Sequence, residues 1–339
     1  MPWAERAQRM KRRHLLCSVG AAAFAACPAL LRAQPATRVR RVGVLSPYEA
    51  AMSRASARFA AFAAQMQRAG YEWGRNLQVD SLYAEGEVER LPALATELLR
   101  HEPELILAFG NDAIAAARSA TRTVPIVMAF SAEPVGTGLV ASLARPGANV
   151  TGTTWLSAEI AAKTLELLRE AVPALTRLGA LGNPASPGMR FYRDAFSNAA
   201  ARLGVESLPF PVHRPGEVGA ALDSIADSRV QALYVTAEPA TESRIDDIAA
   251  FALKHKLPTM GLGPRLVEAG GLLYYGADVD ETIARIVSFV DRILLGARPA
   301  ELPIEQPSRF EFMVNQRTAR ALGLTLPANL LLRATRVIE

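Results

Sequence analysis

The feature that most constrains this fold is the alternation of short apolar runs with amphipathic segments from about residue 40 onward. Residues 41–45 and 105–109 are β-type runs, and segments with apolar side chains at helical spacing follow them along the chain. Strands that alternate with helices predict parallel βαβ units with helices on both faces of each sheet. The number of strands favours two sheets rather than one wide sheet, with the break near residues 152–157.

The same pattern locates the remaining elements. A long amphipathic helix is predicted over residues 281–295. Further strands are predicted at residues 76–83, 125–130, 150–153, 177–182, 208–212, 232–236, 258–262, 272–275 and 310–314. The expected class is therefore an α/β protein with two lobes.

The first tenth of the chain has the composition of an export signal. A basic triplet at residues 11–13 precedes an apolar run over residues 15–31, and a small residue, Ala33, follows shortly. This order predicts a signal peptide over residues 1–33, cleaved between Ala33 and Gln34, and a location in the periplasm. The apolar run is shorter than the ~20 residues that a membrane span needs.

The export route stays open at the level of sequence. Arg12 and Arg13 resemble a twin-arginine signal, and the general secretory pathway fits the segment equally well. Cys27 leaves lipid attachment as a further alternative, although Phe24 and Pro28 flank it unfavourably.

The charge distribution argues against nucleic acid as a partner. Residues 1–33 hold six of the 38 basic residues and one of the 33 acidic ones, so the rest of the chain carries 32 of each. A nucleic-acid binder needs a basic surface on its folded domain, because phosphate neutralisation supplies most of its affinity.

The sequence predicts no metal, no cofactor and no catalytic group. Both cysteines, Cys17 and Cys27, lie in the leader, and His101, His213 and His255 are far apart in sequence. The phosphate loop ending in Gly-Lys-Ser/Thr and the Gly-x-Ser-x-Gly nucleophile elbow are both missing. We therefore expect a binding protein rather than an enzyme.

Polar and small residues follow the predicted strands at their carboxyl ends, where open α/β sheets bind ligands. Turns and helix caps favour the same residue types, so each of these residues also has a purely local interpretation. The candidate ligand-binding residues are Ser46, Tyr48, Asn111, Ser131, Glu133, Trp155, Asn183, Glu238 and Asp278.

These candidates combine groups for an anion and a cation. The turns at Asn111 and Ser131 each precede a helix start, whose N–H groups attract a carboxylate. Glu133, Glu238 and Asp278 offer carboxylates for an ammonium, while Tyr48 and Trp155 are candidate apolar walls. The set predicts a zwitterion, such as an amino acid, or a related small carboxylate.

Several stretches of the chain carry a resemblance to a known family. The longest is residues 133–152, EPVGTGLVASLARPGANVTG, and shorter ones lie at residues 41–46, 70–76, 125–129, 268–271, 302–307 and 329–333. On these residues the chain resembles the solute-binding proteins of ABC importers, in the branch typified by the aromatic amino-acid binder TrpX.

The resemblance implies a type I periplasmic-binding fold, in which two Rossmann-like lobes with parallel sheets are joined by a three-segment hinge. It places lobe 1 at residues 38–154 plus 277–304, and lobe 2 at residues 155–276 plus 305–339. It further implies a monomer that binds a small solute between the lobes and delivers it to an ABC permease and its ATPase at the inner membrane.

The chain departs from the family pattern at three places in the expected cleft, Glu133, Asn111-Asp112 and Gly182. The aromatic ligand of the family is therefore not carried over from the resemblance alone. Two other functions remain open at this level: a binding protein that docks on a signalling receptor, and an enzyme with the same fold.

Overall fold

A five-stranded parallel sheet forms the first half of the protein in the computed structural model, which describes residues 38–50, 57–156 and 158–339. The predicted signal peptide and its cleavage point lie outside the described residues. From Val39 to Glu339 the chain forms one unit. The sheet has the strand order β2-β1-β3-β4-β5, with β1 at Arg40–Ser46, β2 at Leu77–Tyr83, β3 at Leu105–Phe109, β4 at Ile126–Ala132 and β5 at Val150–Leu156.

Helices cover both faces of this sheet, because alternate strand residues point to opposite sides and both sides are apolar. Ala57–Arg68 and Val279–Leu294 pack on the face that carries Val44 and Leu107. Leu91–Leu99 and Gly110–Ala120 pack on the other face. A 3-10 turn at Val88–Arg90 precedes the helix Leu91–Leu99. We call this sheet and its helices lobe 1.

A seven-stranded sheet with its helices forms lobe 2, in the order β12-β11-β10-β9-β8-β6-β7. Its strands are β6 at Arg177–Gly182, β7 at Glu206–Pro211, β8 at Ala232–Val235, β9 at Thr259–Gly261, β10 at Leu273–Ala277, β11 at Phe310–Asn315 and β12 at Arg336–Ile338. All neighbours pair in parallel except β10 and β11. The antiparallel pair and β12 are additions to the pattern predicted from the sequence.

The helices of lobe 2 also divide between the two faces of the sheet. One face carries Ala158–Ala171, Met189–Arg202, Gln316–Leu322 and Ala328–Arg333. The other carries Val218–Asp227, Pro239–Glu242, Ile245–Lys254 and Arg265–Glu268. Pro215–Glu217 and Pro299–Glu301 are 3-10 turns.

The chain crosses between the two lobes three times: after β5, between β10 and the helix Val279–Leu294, and ahead of β11. Backbone hydrogen bonds join Glu305 to Gly152 and Thr154, each at 3.0 Å, and the Asp278 amide donates to the Arg309 carbonyl at 3.0 Å. The three crossing segments therefore lie side by side. Strand β5 continues to Leu156, past the boundary expected at residue 154, so Trp155 belongs to the sheet of lobe 1.

The sequence-based prediction of an α/β fold with two lobes and a three-segment hinge is confirmed. The strands of both sheets are mostly parallel because a helix connects nearly every strand to the next one, as in other βαβ proteins. β11 is the exception, since it enters lobe 2 from a crossing segment and runs against β10.

Candidate ligand-binding site

A cavity of about 190 Å³ lies at the carboxyl ends of the lobe 1 strands, and both lobes contribute to its walls. We call it the binding cavity. Lobe 1 contributes residues from β1, β2, β3, β4, β5 and three helices. Lobe 2 contributes Ser186, Gly188, Met189, Ala237, Glu238, Glu242, Leu262, Gly263 and Arg265.

Five residues of the predicted set line this cavity: Ser46, Tyr48, Asn111, Trp155 and Glu238. Ser46 is buried, and its hydroxyl oxygen accepts the Tyr48 amide at 3.2 Å. Burial raises the pKa of the Tyr48 hydroxyl well above its ordinary value, and the charge of Glu242 adds to the rise while Arg58 opposes it. Tyr48 therefore faces a ligand as a neutral phenol.

Asn111 fixes the end of β4 against the start of the helix Gly110–Ala120. Its Nδ2 donates to the Ala132 carbonyl at 2.7 Å, and its Oδ1 accepts the Ala132 amide at 2.8 Å. The Ser131 hydroxyl donates to the same oxygen at 3.4 Å. Ser131 is fully buried and lies outside the cavity lining, so it supports the wall rather than forming it.

Glu133, Asn183 and Asp278 also lie outside the residues that line the binding cavity. The Glu133 carbonyl accepts the amide and hydroxyl of Thr137, each at 2.9 Å. The side chain of Asn183 accepts the Ala185 amide at 2.9 Å in a turn. Asp278 caps the helix Val279–Leu294 by accepting the Glu281 amide at 2.8 Å. Their structural contacts are those of turns and caps, which was the local interpretation of these positions.

Glu238 is the most unusual polar group in the cavity wall. Only 6% of its surface is exposed, and its Oε2 accepts the Asn183 amide and the Thr236 hydroxyl, each at 2.6 Å. Its Oε1 is buried and has no hydrogen-bond partner among the described residues. Burial raises the pKa of Glu238 to about 7, against the lowering effect of the hydrogen bonds from Thr236 and Asn183 and of the nearby Ser186 hydroxyl.

The structure adds charged residues that the sequence interpretation did not select. Arg58 lies in the first turn of the helix Ala57–Arg68, with its guanidinium 5.9 Å from the centre of the Phe130 ring. It forms no ion pair with a described residue, whereas Arg265 and Glu242 pair with each other at 3.4 Å. Asp112 also lines the cavity, and burial raises its pKa.

One sequence signal for Arg58 existed, because it stands one helical turn before Phe62, an apolar residue of the same helix. In the folded protein, Arg58 lines the cavity together with Phe59 and Phe62 of its own helix, and its guanidinium lies near Phe130 of β4. Its exposure to the cavity follows only from the packing of the helix on the sheet.

Aromatic rings form much of the remaining wall. The Trp155 ring lies edge-on to Phe130, with centroids 4.9 Å apart, and Phe130 stacks on Phe109 at 6.1 Å. Phe59 and Phe62 line the cavity from the helix above the sheet. Such rings suit a ligand with a flat apolar part.

Within the parts of the chain that the structure describes, no group of three or more His, Cys, Asp or Glu residues is arranged to hold a metal ion. Among the helices of the described residues, none combines the length and the apolar character that a membrane span requires.

Comparison with known proteins identifies the class of this fold and site. Residues 52–338 match the family of ABC transporter substrate binding proteins, so the chain belongs to that family. The family resemblance and the type I periplasmic-binding fold expected from the sequence are thereby confirmed.

Three individual proteins illustrate the similarity. A tyrosine-binding protein of Clostridioides difficile (strain R20291) is 26% identical over 264 residues, which are 78% of this chain and 75% of that protein. A conserved domain protein of Vibrio cholerae has 26% identity and a TM-score of 0.82, covering 88% of this chain and all of the other. An ABC domain from Streptococcus pneumonia in complex with L-Trp has 23% identity and a TM-score of 0.79 with the same coverage.

Proposed function

We propose that this protein is the exported binding component of an ABC importer, and that it captures an amino acid with an apolar side chain in the binding cavity. It then delivers the solute to a permease and its ATPase at the inner membrane. The family supports the binding role, and the basic and apolar order of residues 1–33 supports export to the periplasm.

One observation carries the choice of solute. Among the residues that the structure describes, the binding cavity holds a cation without an ion-pair partner, Arg58, and a buried carboxyl oxygen without a hydrogen-bond donor, Oε1 of Glu238. Buried charged groups are stable when they are paired, so the two groups suit a ligand that carries one carboxylate and one ammonium. The remaining charged pair, Arg265 with Glu242, is already satisfied.

The relatives are consistent with this solute class. One is named as a tyrosine-binding protein, and another was solved in complex with L-Trp. Both ligands are zwitterions with an aromatic ring, which matches charged groups beside Phe130 and Trp155.

The mechanism follows from the division of the two groups between the lobes. Arg58 belongs to lobe 1 and Glu238 to lobe 2, so a ligand contacts both only when the lobes are closed. The ligand therefore shifts the population toward the closed conformation through motion at the three crossing segments. The closed form is the one that presents both lobes together to a permease.

A thermal-shift panel of amino acids, sugars, purines and aromatic acids tests this proposal. A ligand present at about 100 times its Kd adds about 2.7 kcal/mol of stability. At roughly 2–4 °C per kcal/mol this raises Tm by several degrees. We expect the shift from apolar or aromatic amino acids, and its loss in Arg58→Gln and Glu238→Gln.

Arg244→Gln is the matched control for these variants, because Arg244 pairs with Asp247 on an exposed surface of lobe 2. This variant should keep the full shift. A shift from a neutral sugar or a purine, together with none from any amino acid, would contradict the proposed solute while leaving the binding role intact.

A further inference from the structure

The binding cavity continues into lobe 1, past the ends of the strands. Six residues form this deeper part, which we call the lobe 1 pocket: Val44, Phe62, Val79, Leu107, Ile283 and Ile286. They come from three strands and two helices that enclose one face of the sheet. Every side chain in the set is a hydrocarbon.

The depth of the pocket follows from strand geometry. Val44 and Leu107 each stand two residues before the end of their strand, and Val79 stands four residues before the end of β2. At about 3.3 Å per residue, they lie roughly 7 Å and 13 Å below the strand ends. The whole binding cavity measures about 190 Å³, and an apolar cavity of about 150 Å³ accepts a benzene ring.

The polar groups of the cavity lie at the strand ends and in lobe 2, above the six hydrocarbon side chains of the lobe 1 pocket. Ser46 and Tyr83 are the last residues of neighbouring strands and lie in register with each other. Asp112 follows the end of β3, and Glu238 and Arg265 belong to lobe 2. A zwitterion therefore has one favourable orientation, with its charged end at the lobe interface and its side chain in the lobe 1 pocket.

We propose that the lobe 1 pocket determines specificity by selecting an unsubstituted aromatic side chain over one with a hydroxyl at its far end. This inference rests on the proposed function. A phenolic hydroxyl at the bottom of the pocket loses its hydrogen bonds to water and gains none from the six hydrocarbon side chains. An apolar pocket discriminates against an added hydroxyl by up to about a hundredfold.

The test compares L-phenylalanine, L-tyrosine and 4-fluoro-L-phenylalanine by calorimetry on the purified protein. We expect 4-fluoro-L-phenylalanine to bind nearly as tightly as L-phenylalanine, and L-tyrosine to bind about 10- to 100-fold more weakly. Fluorine adds bulk without the hydrogen-bonding demand of a hydroxyl. Equal weakening by fluorine and hydroxyl would show that the pocket rejects size and would overturn the inference.

A pair of variants assigns the effect to the pocket wall. Ile286→Thr places a hydroxyl in the wall and should reduce the ratio of the L-tyrosine Kd to the L-phenylalanine Kd. Ile293→Thr makes the same change at a buried position of the same helix outside the cavity lining and should leave the ratio unchanged.

The failures of the two proposals are distinguishable. Equal affinity for L-tyrosine and L-phenylalanine overturns the inference about the pocket and leaves the proposed function standing. Failure of every amino acid to bind overturns the proposed function, and this inference with it.

Discussion

At the scale of the residue, the burial of Glu238 has a desolvation cost that its hydrogen bonds to described residues do not fully offset. Its carboxyl group is buried, and one of its two oxygens has no hydrogen-bond donor among the described residues. A buried polar atom without a partner costs about 1–3 kcal/mol, and more when it is charged. The ammonium of the proposed amino acid would supply a donor to this oxygen.

The raised pKa of Glu238, about 7, makes this effect measurable through pH. We expect affinity for the amino acid to fall as the pH is lowered through 7, because a protonated carboxyl has no charge for the ammonium. Linkage limits the slope to about tenfold in Kd per pH unit. Calorimetry at pH 7.5 and 5.5 should therefore show roughly 10- to 30-fold weaker binding at the lower pH.

The variant Glu238→Gln should bind weakly at both pH values, with a flat profile. Without ligand it should be more stable than the parent at pH 8. The folded-state pKa exceeds the ordinary value of 4.5, so this group's contribution is full below that value and is lost as the pH rises through about 7. Asp112→Asn is the parallel control, since burial raises the pKa of Asp112 in the same cavity. If the Kd of Glu238→Gln depended on pH as steeply as that of the parent, another group would be responsible for the pH dependence.

Sequence reasoning located side chains that stand directly at strand ends, such as Ser46 and Trp155, because the end of a parallel strand defines one edge of the sheet. It gave Asp278 the same weight, since a carboxylate at a strand end is suited to ligand binding and to helix capping alike. It passed over Arg58, which reaches the cavity from a helix. Which face of that helix meets the cavity depends on tertiary packing.

At the scale of the element, β5 depends on a glycine that allows β4 to approach closely. Gly152 has φ +134°, and a Cβ there would lie 2.4 Å from the Met128 carbonyl oxygen and 2.6 Å from its amide nitrogen. The β4–β5 pairing is irregular just beyond this contact. Backbone atoms cannot move aside as a flexible side chain can, so the position excludes every residue with a side chain.

We expect Gly152→Ala to destabilise the protein by about 3 kcal/mol or more, through strain and overpacking. The matched control is Gly296→Ala, where φ is +104° but no atom lies within 4 Å of the added Cβ. That variant should lose only about 1–2 kcal/mol from its backbone conformation. Urea unfolding measures both values, and equal losses would contradict the role of the Met128 contact.

The strands that were predicted from the sequence are buried and apolar, whereas the features that were missed depend on the sheet edge or on the path of the chain between the lobes. A buried parallel strand such as Leu105–Phe109 has a continuous apolar run, which a local pattern detects. The short strand Arg336–Ile338 is half exposed at the sheet edge and lacks such a run. The antiparallel direction of Phe310–Asn315 depends on where the chain crosses between lobes, which is a property of the whole fold.

At the scale of the whole molecule, ion pairs outside the binding cavity also join the two lobes. Arg214 of lobe 2 lies 3.8 Å from Glu87 and 3.3 Å from Glu89 of lobe 1. These pairs are exposed, so each contributes little. At the cavity wall, Gly188 of lobe 2 lies close against lobe 1, so that a Cβ there would lie 2.6 Å from the Ala132 Cβ.

This close approach gives a way to change closure without removing a charged or polar group from the cavity wall. In Gly188→Ala the added methyl group would meet Ala132 and the Asn111 amide nitrogen, at 3.0 Å, only when the lobes are closed. Overpacking of this kind costs about 1–3 kcal/mol. Because the proposed mechanism couples binding to closure, that cost is subtracted from the binding free energy and should weaken affinity by roughly 5- to 150-fold.

We expect Gly188→Ala to keep the parent Tm without ligand, because opening of the lobes relieves the contact. Calorimetry should give a higher Kd for this variant than for the parent. At the same ligand concentration, small-angle X-ray scattering should give a larger radius of gyration. Gly216→Ala is the matched control: Gly216 lies in the 3-10 turn Pro215–Glu217 of lobe 2, and no atom lies within 4 Å of its added Cβ. An unchanged Kd in Gly188→Ala would show that the ligand binds without this approach of the lobes, and a lower Tm without ligand would show that the residue supports lobe 2 itself.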